Sequence, residues 1–158
     1  MSMILLTHVA LSLVGIISGL VVFLGLLRGQ KLDGWTMLFL ATTILTSATG
    51  YALPADRILP SHVVGGISLV VLAVALAALY VFHLAGPWRW IFVATAAIAL
   101  YLNVFVGVAQ AFQKVPFLQP LAPTQSEPPF LITQILVLLL FIGLGIAAAR
   151  RFHPALSS

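Results

Sequence analysis

Residues 4–27 read ILLTHVALSLVGIISGLVVFLGLL and contain no Asp, Glu, Lys or Arg. A helix needs about 20 consecutive apolar residues to cross a hydrocarbon core about 30 Å thick, so this run has the length and composition of a membrane span. The alternation of period two that marks a transmembrane barrel strand is absent. A secretory leader would carry a positive residue ahead of a shorter apolar stretch and a small-x-small site behind it. Neither is present, and the segment is expected to stay as a helix.

The same ruler finds four more charge-free intervals, at 35–53, 63–84, 90–112 and 130–149, with Gly29, Gly34, Pro54, Pro60, Gly86 and Pro87 punctuating their ends. Of the 158 residues, 62% are hydrophobic and only 6% are charged. With a mean hydropathy of +1.20, such a chain could not cover a water-facing surface, so its solvent is lipid. The expected fold is all-α: an integral membrane bundle of five transmembrane helices forming one domain over residues 1–158. No repeat of about 20 to 50 residues is evident, and five spans do not divide into equal inverted halves. Both points set aside the transporter architectures built from repeats.

Orientation follows from Lys and Arg, which collect on the cytoplasmic side of membrane helices. With the N-terminus outside, the inner segments hold Arg28, Lys31, Arg89, Arg150 and Arg151, against only Arg57 and Lys114 outside. The C-terminus is then cytoplasmic. Trp35, Trp88 and Trp90 fall at the inner headgroup level, and the loop 115–129, which contains most of LAPTQSEPPF at 121–130, faces the periplasm. Arg150 and Arg151 read as a stop-transfer clamp with affinity for cytoplasmic lipid. The lack of Cys excludes disulfides, thiolate metal sites and cysteine nucleophiles. No basic run is long enough to suggest nucleic acid as a partner.

Polar residues recur at helical spacing. His8, Ser12, Gly15 and Gly19 share one face of the first span, and Gly15–Gly19 is a GxxxG pair that suits a dimer face and an internal contact equally. Thr42, Thr46 and Thr49 line the second span, with Thr43, Ser47 and Gly50 alongside. Asn103, Gly107, Gln110 and Lys114 align on the fourth, and Gln134 begins the fifth. Hydroxyls bond back to their own helix cheaply, but amides and imidazoles in lipid are costly. Placed by depth, His8, Ser12, Thr49, Tyr51, His62, Gln110, Lys114 and Gln134 gather in the outer half, with Asn103 nearer the middle. This predicts an outward-facing polar pocket beneath the 115–129 loop.

That loop reads as a stiff connector or as a lid. Its prolines remove backbone donors near lipid. SEPPF marks the start of the fifth helix, with Ser126 or Glu127 at its positive end and Glu127 in reach of Lys114, His8 or His62. His8 and His62 form the pair that a b-type haem needs for two axial ligands, and imidazoles with a carboxylate suit a divalent metal. Each is equally a simple interfacial histidine. Asn103, Gln110 and Gln134 suit a ligand, but amides also cross-link membrane helices, which is the commoner role.

The stretches TSATGY at 46–51, YLN at 101–103 and LAPTQSEPPF resemble those of small multi-pass inner-membrane proteins of bacteria. The resemblance implies an inner (cell) membrane location and no particular chemistry. HExxH, GxSxG and GxGxxG are absent, and the acidic inventory is Asp33, Asp56 and Glu127. Three functions remain. The first is a non-catalytic accessory subunit or binding protein whose pocket, with Tyr51, Asn103, Gln110, Lys114, Glu127 and Gln134, takes quinone, lipid or haem. The second is a small oligomeric transporter or channel using the pocket as a vestibule. The third is a haem-binding electron-transfer protein or membrane enzyme, with His8 and His62 holding the cofactor. Expected partners are the bilayer and a homo-oligomer or larger membrane complex.

Overall fold

A computed structural model of the protein describes residues 3–52 and 60–153. Five helices run up and down: α1 (Met3–Leu27), α2 (Asp33–Ala52), α3 (Pro60–Leu76), α4 (Trp88–Lys114) and α5 (Pro128–Arg151). The described residues contain no strand. Consecutive helices pack side by side, and α1 closes the ring by touching both α4 and α5. Because α4 touches all four others, it is the hub. Its buried residues Phe92, Val93, Ala96, Ala99, Leu100 and Asn103 repeat at the period that keeps one broad face inward.

α1, α4, α5 and the stretch His62–Val81, which joins α3 to the turn that follows it, are long and apolar enough to cross a membrane. α2 has 20 residues, about 30 Å of helix, but falls below the hydropathy of the other four. Its threonines account for this. Thr42 and Thr46 donate to the carbonyls of Leu38 and Thr42, each at 2.7 Å, so their polarity is already met inside the helix.

Helix packing depends on two glycines of α1. A Cβ on Gly19 would lie 2.7 Å from Leu100 Cδ1 and 2.9 Å from the Phe39 ring, and one on Gly15 would lie 3.1 Å from both Asn103 Nδ2 and Thr43 Oγ1. The GxxxG pair therefore faces α2 and α4 inside the bundle. Below Gly19, Phe23, Phe39, Phe92, Phe152, Leu26 and Leu100 are fully buried. At this end of the bundle, Arg89 donates to the Ala149 and Phe152 carbonyls, the second at 2.8 Å, tying α4 to the last turn of α5.

Three details depart from the sequence reading. α4 runs from Trp88 to Lys114, because charged residues at helix ends carry on the backbone ladder as well as apolar ones. α3 does not run on to residue 84. A π turn at Ala77–Val81 follows it, Phe82 N–H donates to the Ala77 carbonyl at 2.9 Å, and His83 and Leu84 take φ of +50° and +61°. The bend buries Leu84 and stacks Phe82 on Trp88 with ring centroids 4.0 Å apart. The third detail is Glu127, which takes the N-cap position at the positive end of α5, as read from the sequence, but turns its carboxylate to Thr124 and Ser126 and not to Lys114.

Candidate functional site

The helix ends at His8, Ala52, His62, Lys114 and Pro128 all lie at one end of the bundle, so the predicted polar residues share that end. They form three groups rather than one. Asp56 and Arg57, used in reading charge and topology, lie outside the described residues.

The first group joins α1, α2 and α4. His8 Nδ1 is 2.9 Å from Thr49 Oγ1. Thr49 Oγ1 is also 2.7 Å from the Leu45 carbonyl, and which partner donates across the His8–Thr49 contact depends on the imidazole tautomer. Lys114 is near enough to interact with His8 electrostatically. One turn deeper on the same face of α1, Ser12 Oγ donates to Asn103 Oδ1 at 2.9 Å, and Asn103 Nδ2 returns a bond to the Ser12 carbonyl at 3.4 Å. Deeper still, Gly15 brings α1 onto Thr43 and Asn103. Thr43 Oγ1 is buried with no hydrogen-bond partner among the described residues. Gln110, one turn inward of Lys114, is half-buried and makes no hydrogen bond among the described residues.

This polar column ends halfway. The next layer is the Gly19, Phe39 and Leu100 contact, followed by Val22, Phe23 and Leu26, all buried. The buried polar side chains of α1 and α2 at or beyond this layer are Ser18, which donates to the Val14 carbonyl of its own helix at 2.6 Å, and Thr36.

The second group lies on the other flank of α2. Tyr51 stacks on the His62 ring with centroids 5.4 Å apart, and its hydroxyl donates to the His62 carbonyl. α2 separates α1 from α3. His8 therefore rests on Thr49 at the α1 side of α2, and His62 rests on Tyr51 at the α3 side. No group of three or more His, Asp or Glu able to hold a metal occurs among the described residues.

The third group staples the loop to α4 and α5. Gln113 Nε2 donates to Gln125 Oε1 at 3.0 Å, and Gln125 Nε2 donates to the Ala109 carbonyl at 2.9 Å, with Gln125 held at φ +61°. Ala122 is buried with Phe112 and Phe130, whose rings meet edge to face at 5.6 Å. Glu127 accepts from the Thr124 hydroxyl, from Thr124 N–H at 3.0 Å and from Ser126 N–H at 3.2 Å. The Thr124 hydroxyl foremost, aided by these amides, holds the Glu127 carboxyl below the ordinary glutamate range. Glu127 makes no ion pair with Lys114; the one salt bridge among the described residues is Lys31–Asp33 at 3.3 Å. Gln134 Nε2 donates to the Phe105 carbonyl at 3.1 Å, and its Oε1 is buried without a partner among the described residues.

A cavity of about 310 Å³ opens elsewhere, between α4 and α5, and none of the predicted site residues line it. Its walls include Trp90, Ala94, Tyr101, Phe141, Ile146 and Ala149. Sequence reading had no signal for it, because Ala, Ile and Leu on a span look the same whether they face lipid or a groove. No family model matches the chain, and neither a curated protein nor a solved structure is similar to it. Any account of function therefore rests on this geometry alone.

Proposed function

We propose that the protein is a non-catalytic, five-span integral membrane protein of the bacterial inner membrane, an accessory subunit or binding protein. Its outer polar column, His8–Thr49 above Ser12–Asn103, receives the polar head of an amphipathic ligand such as a quinone or lipid. One observation carries the reading: the side-chain bonds that join helices in the column, His8–Thr49 and Ser12–Asn103, lie on the Lys114 side of the Phe39 and Leu100 layer, and beyond it α1 and α2 bury only the single hydroxyl of Thr36. A half-depth column suits binding from one side of a membrane. Conduction through a single chain would need a continuous polar file through that layer.

The N-terminus is placed outside by the excess of Lys and Arg at the Trp35, Trp88 and Trp90 end. α2 counts as the fifth span because it lies between α1 and α3 and its own carbonyls take up the hydroxyls of Thr42, Thr46 and Thr49. Haem ligation is the less favoured reading. It requires His8 and His62 to leave Thr49 and Tyr51 and meet across α2.

The test is mass spectrometry of quinones and lipids retained by the protein purified in mild detergent, with an oxidised-minus-reduced visible spectrum of the same sample. The reading expects a retained quinone or lipid that is lost in Asn103→Leu and His8→Ala while the fold persists. A Soret band lost in both His8→Ala and His62→Ala would replace it with the haem reading. Ion flux through liposomes containing the protein would replace it with the channel reading.

A further inference from the structure

The cavity between α4 and α5 lies at the opposite end from the polar column and is independent of it. On α4 its lining runs from Trp90 through Ala94 and Ala97 to Tyr101, and on α5 from Ala149 back to Leu138. Eleven residues of helix rise about 16 Å, roughly half of a hydrocarbon core about 30 Å thick. The groove thus spans one leaflet, from a tryptophan at headgroup level to a tyrosine near mid-depth. Its floor is narrow because Ala97 and Gly145 let the helices meet: a Cβ on Gly145 would lie 3.5 Å from Ala97 Cβ.

The groove has a charged end. Ile142 and Ile146 line it, and Arg150 follows Ile146 by four residues on the same face of α5. Arg150 and Arg151 are both exposed. Arg89, by contrast, is committed to the Ala149 and Phe152 carbonyls and anchors the mouth. An apolar trough one leaflet long that ends beside the exposed Arg150 is complementary to one acyl chain with an anionic headgroup.

We infer that this groove holds one acyl chain of an anionic phospholipid from the leaflet at the Trp90 end, with the headgroup phosphate on Arg150. A second copy of the chain fits less well. Two-fold related copies in one membrane meet at equal depth, which would set Arg150 against Arg150 and leave two concave faces with a void between them.

The experiment is native mass spectrometry of the full chain, released from nanodiscs of equimolar phosphatidylglycerol and phosphatidylcholine into mild detergent. One phosphatidylglycerol per chain is expected, preferred about fivefold for each contributing cation. Arg150→Gln keeps a bound lipid but loses the preference, whereas Arg151→Gln, on the far face of α5, keeps both. Ala94→Phe, which fills the groove at a half-buried position, loses the bound lipid with either headgroup. Equal retention of the two lipids by the parent chain overturns the inference, as does retention unchanged by Ala94→Phe. A lipid-free dimer that Ala94→Phe dissociates would overturn it in favour of a second copy.

Discussion

At the scale of single residues, the amide of Asn103 is the link whose loss is cleanest to read. It exchanges two hydrogen bonds with Ser12 across 91 residues of sequence. Interhelical bonds in membranes average about 0.6 kcal/mol and reach about 1.7 kcal/mol. Asn103→Leu is expected to destabilise within that range, since Ser12 is left free to bond back to its own helix. Unfolding in mixed detergent and SDS micelles measures this, and a loss well above the range would mean that Thr43 shares the network. Glu127 makes a pH-dependent contribution outside the bilayer. Its folded-state pKa is depressed, so the contribution is complete above the ordinary glutamate value and is lost as pH falls through the lower folded value. Thr124→Val removes the first cause of that depression. The carbon-13 titration of the Glu127 carboxyl should then move up toward an ordinary glutamate, and an unmoved titration would assign the depression to the Thr124 and Ser126 amides.

At the scale of helices, close approach and local strain set the outcome of substitution. Gly19→Ala forces a Cβ to 2.7 Å from Leu100 and 2.9 Å from Phe39, an overpacking that costs about 1–3 kcal/mol. Gly107→Ala meets only Ile16 Cδ1 at 3.7 Å, so it should be neutral or slightly stabilising. Thermal unfolding of the two variants side by side tests whether the α1 face is an internal contact; equal behaviour would move Gly19 out of the packed interface. His83→Gly should stabilise by about 1 kcal/mol, because His83 is exposed and held at φ +50°. The five helices themselves were legible from the spacing of charges, since a span announces itself by length and by what it omits. The end of α3 was not legible. Nothing in AALYVFHL marks a π turn, which goes with the burial of Leu84 in the core and the stacking of Phe82 on Trp88. The candidate site was legible as a set of polar residues at one end. Its division into three groups was hidden, because whether His8 meets Thr49 or His62 depends on α2 lying between α1 and α3.

At the scale of the whole molecule, orientation and span number are a single question, because the placement of the polar column on one side of the membrane follows from both. The chain has no Cys, so single cysteines report on their own position without a background to remove. With five spans and an outer N-terminus, Gln30→Cys between α1 and α2 lies inside, whereas Ser126→Cys before α5 lies outside. Ala55→Cys, in the stretch after α2 that lies outside the described residues, then also faces outside if α2 crosses. A membrane-impermeant maleimide added to intact cells should label Ser126→Cys and Ala55→Cys and spare Gln30→Cys until the membrane is opened. Labelling of Gln30→Cys alone would invert the molecule, set the His8 and Asn103 column toward the cytoplasm, and turn the Arg150 end of the α4–α5 groove outward. Gln30→Cys, Ala55→Cys and Ser126→Cys all labelled or all protected together would mean that α2 does not cross, because α3 and α4 then return the chain to the side it left. Thr42, Thr43 and Thr46 would then be facing an aqueous layer rather than lying buried beside Gly15, which the contact of Gly15 with Thr43 and Asn103 opposes. Five crossings are therefore the proposed outcome, and the Ala55→Cys label is the measurement that decides it.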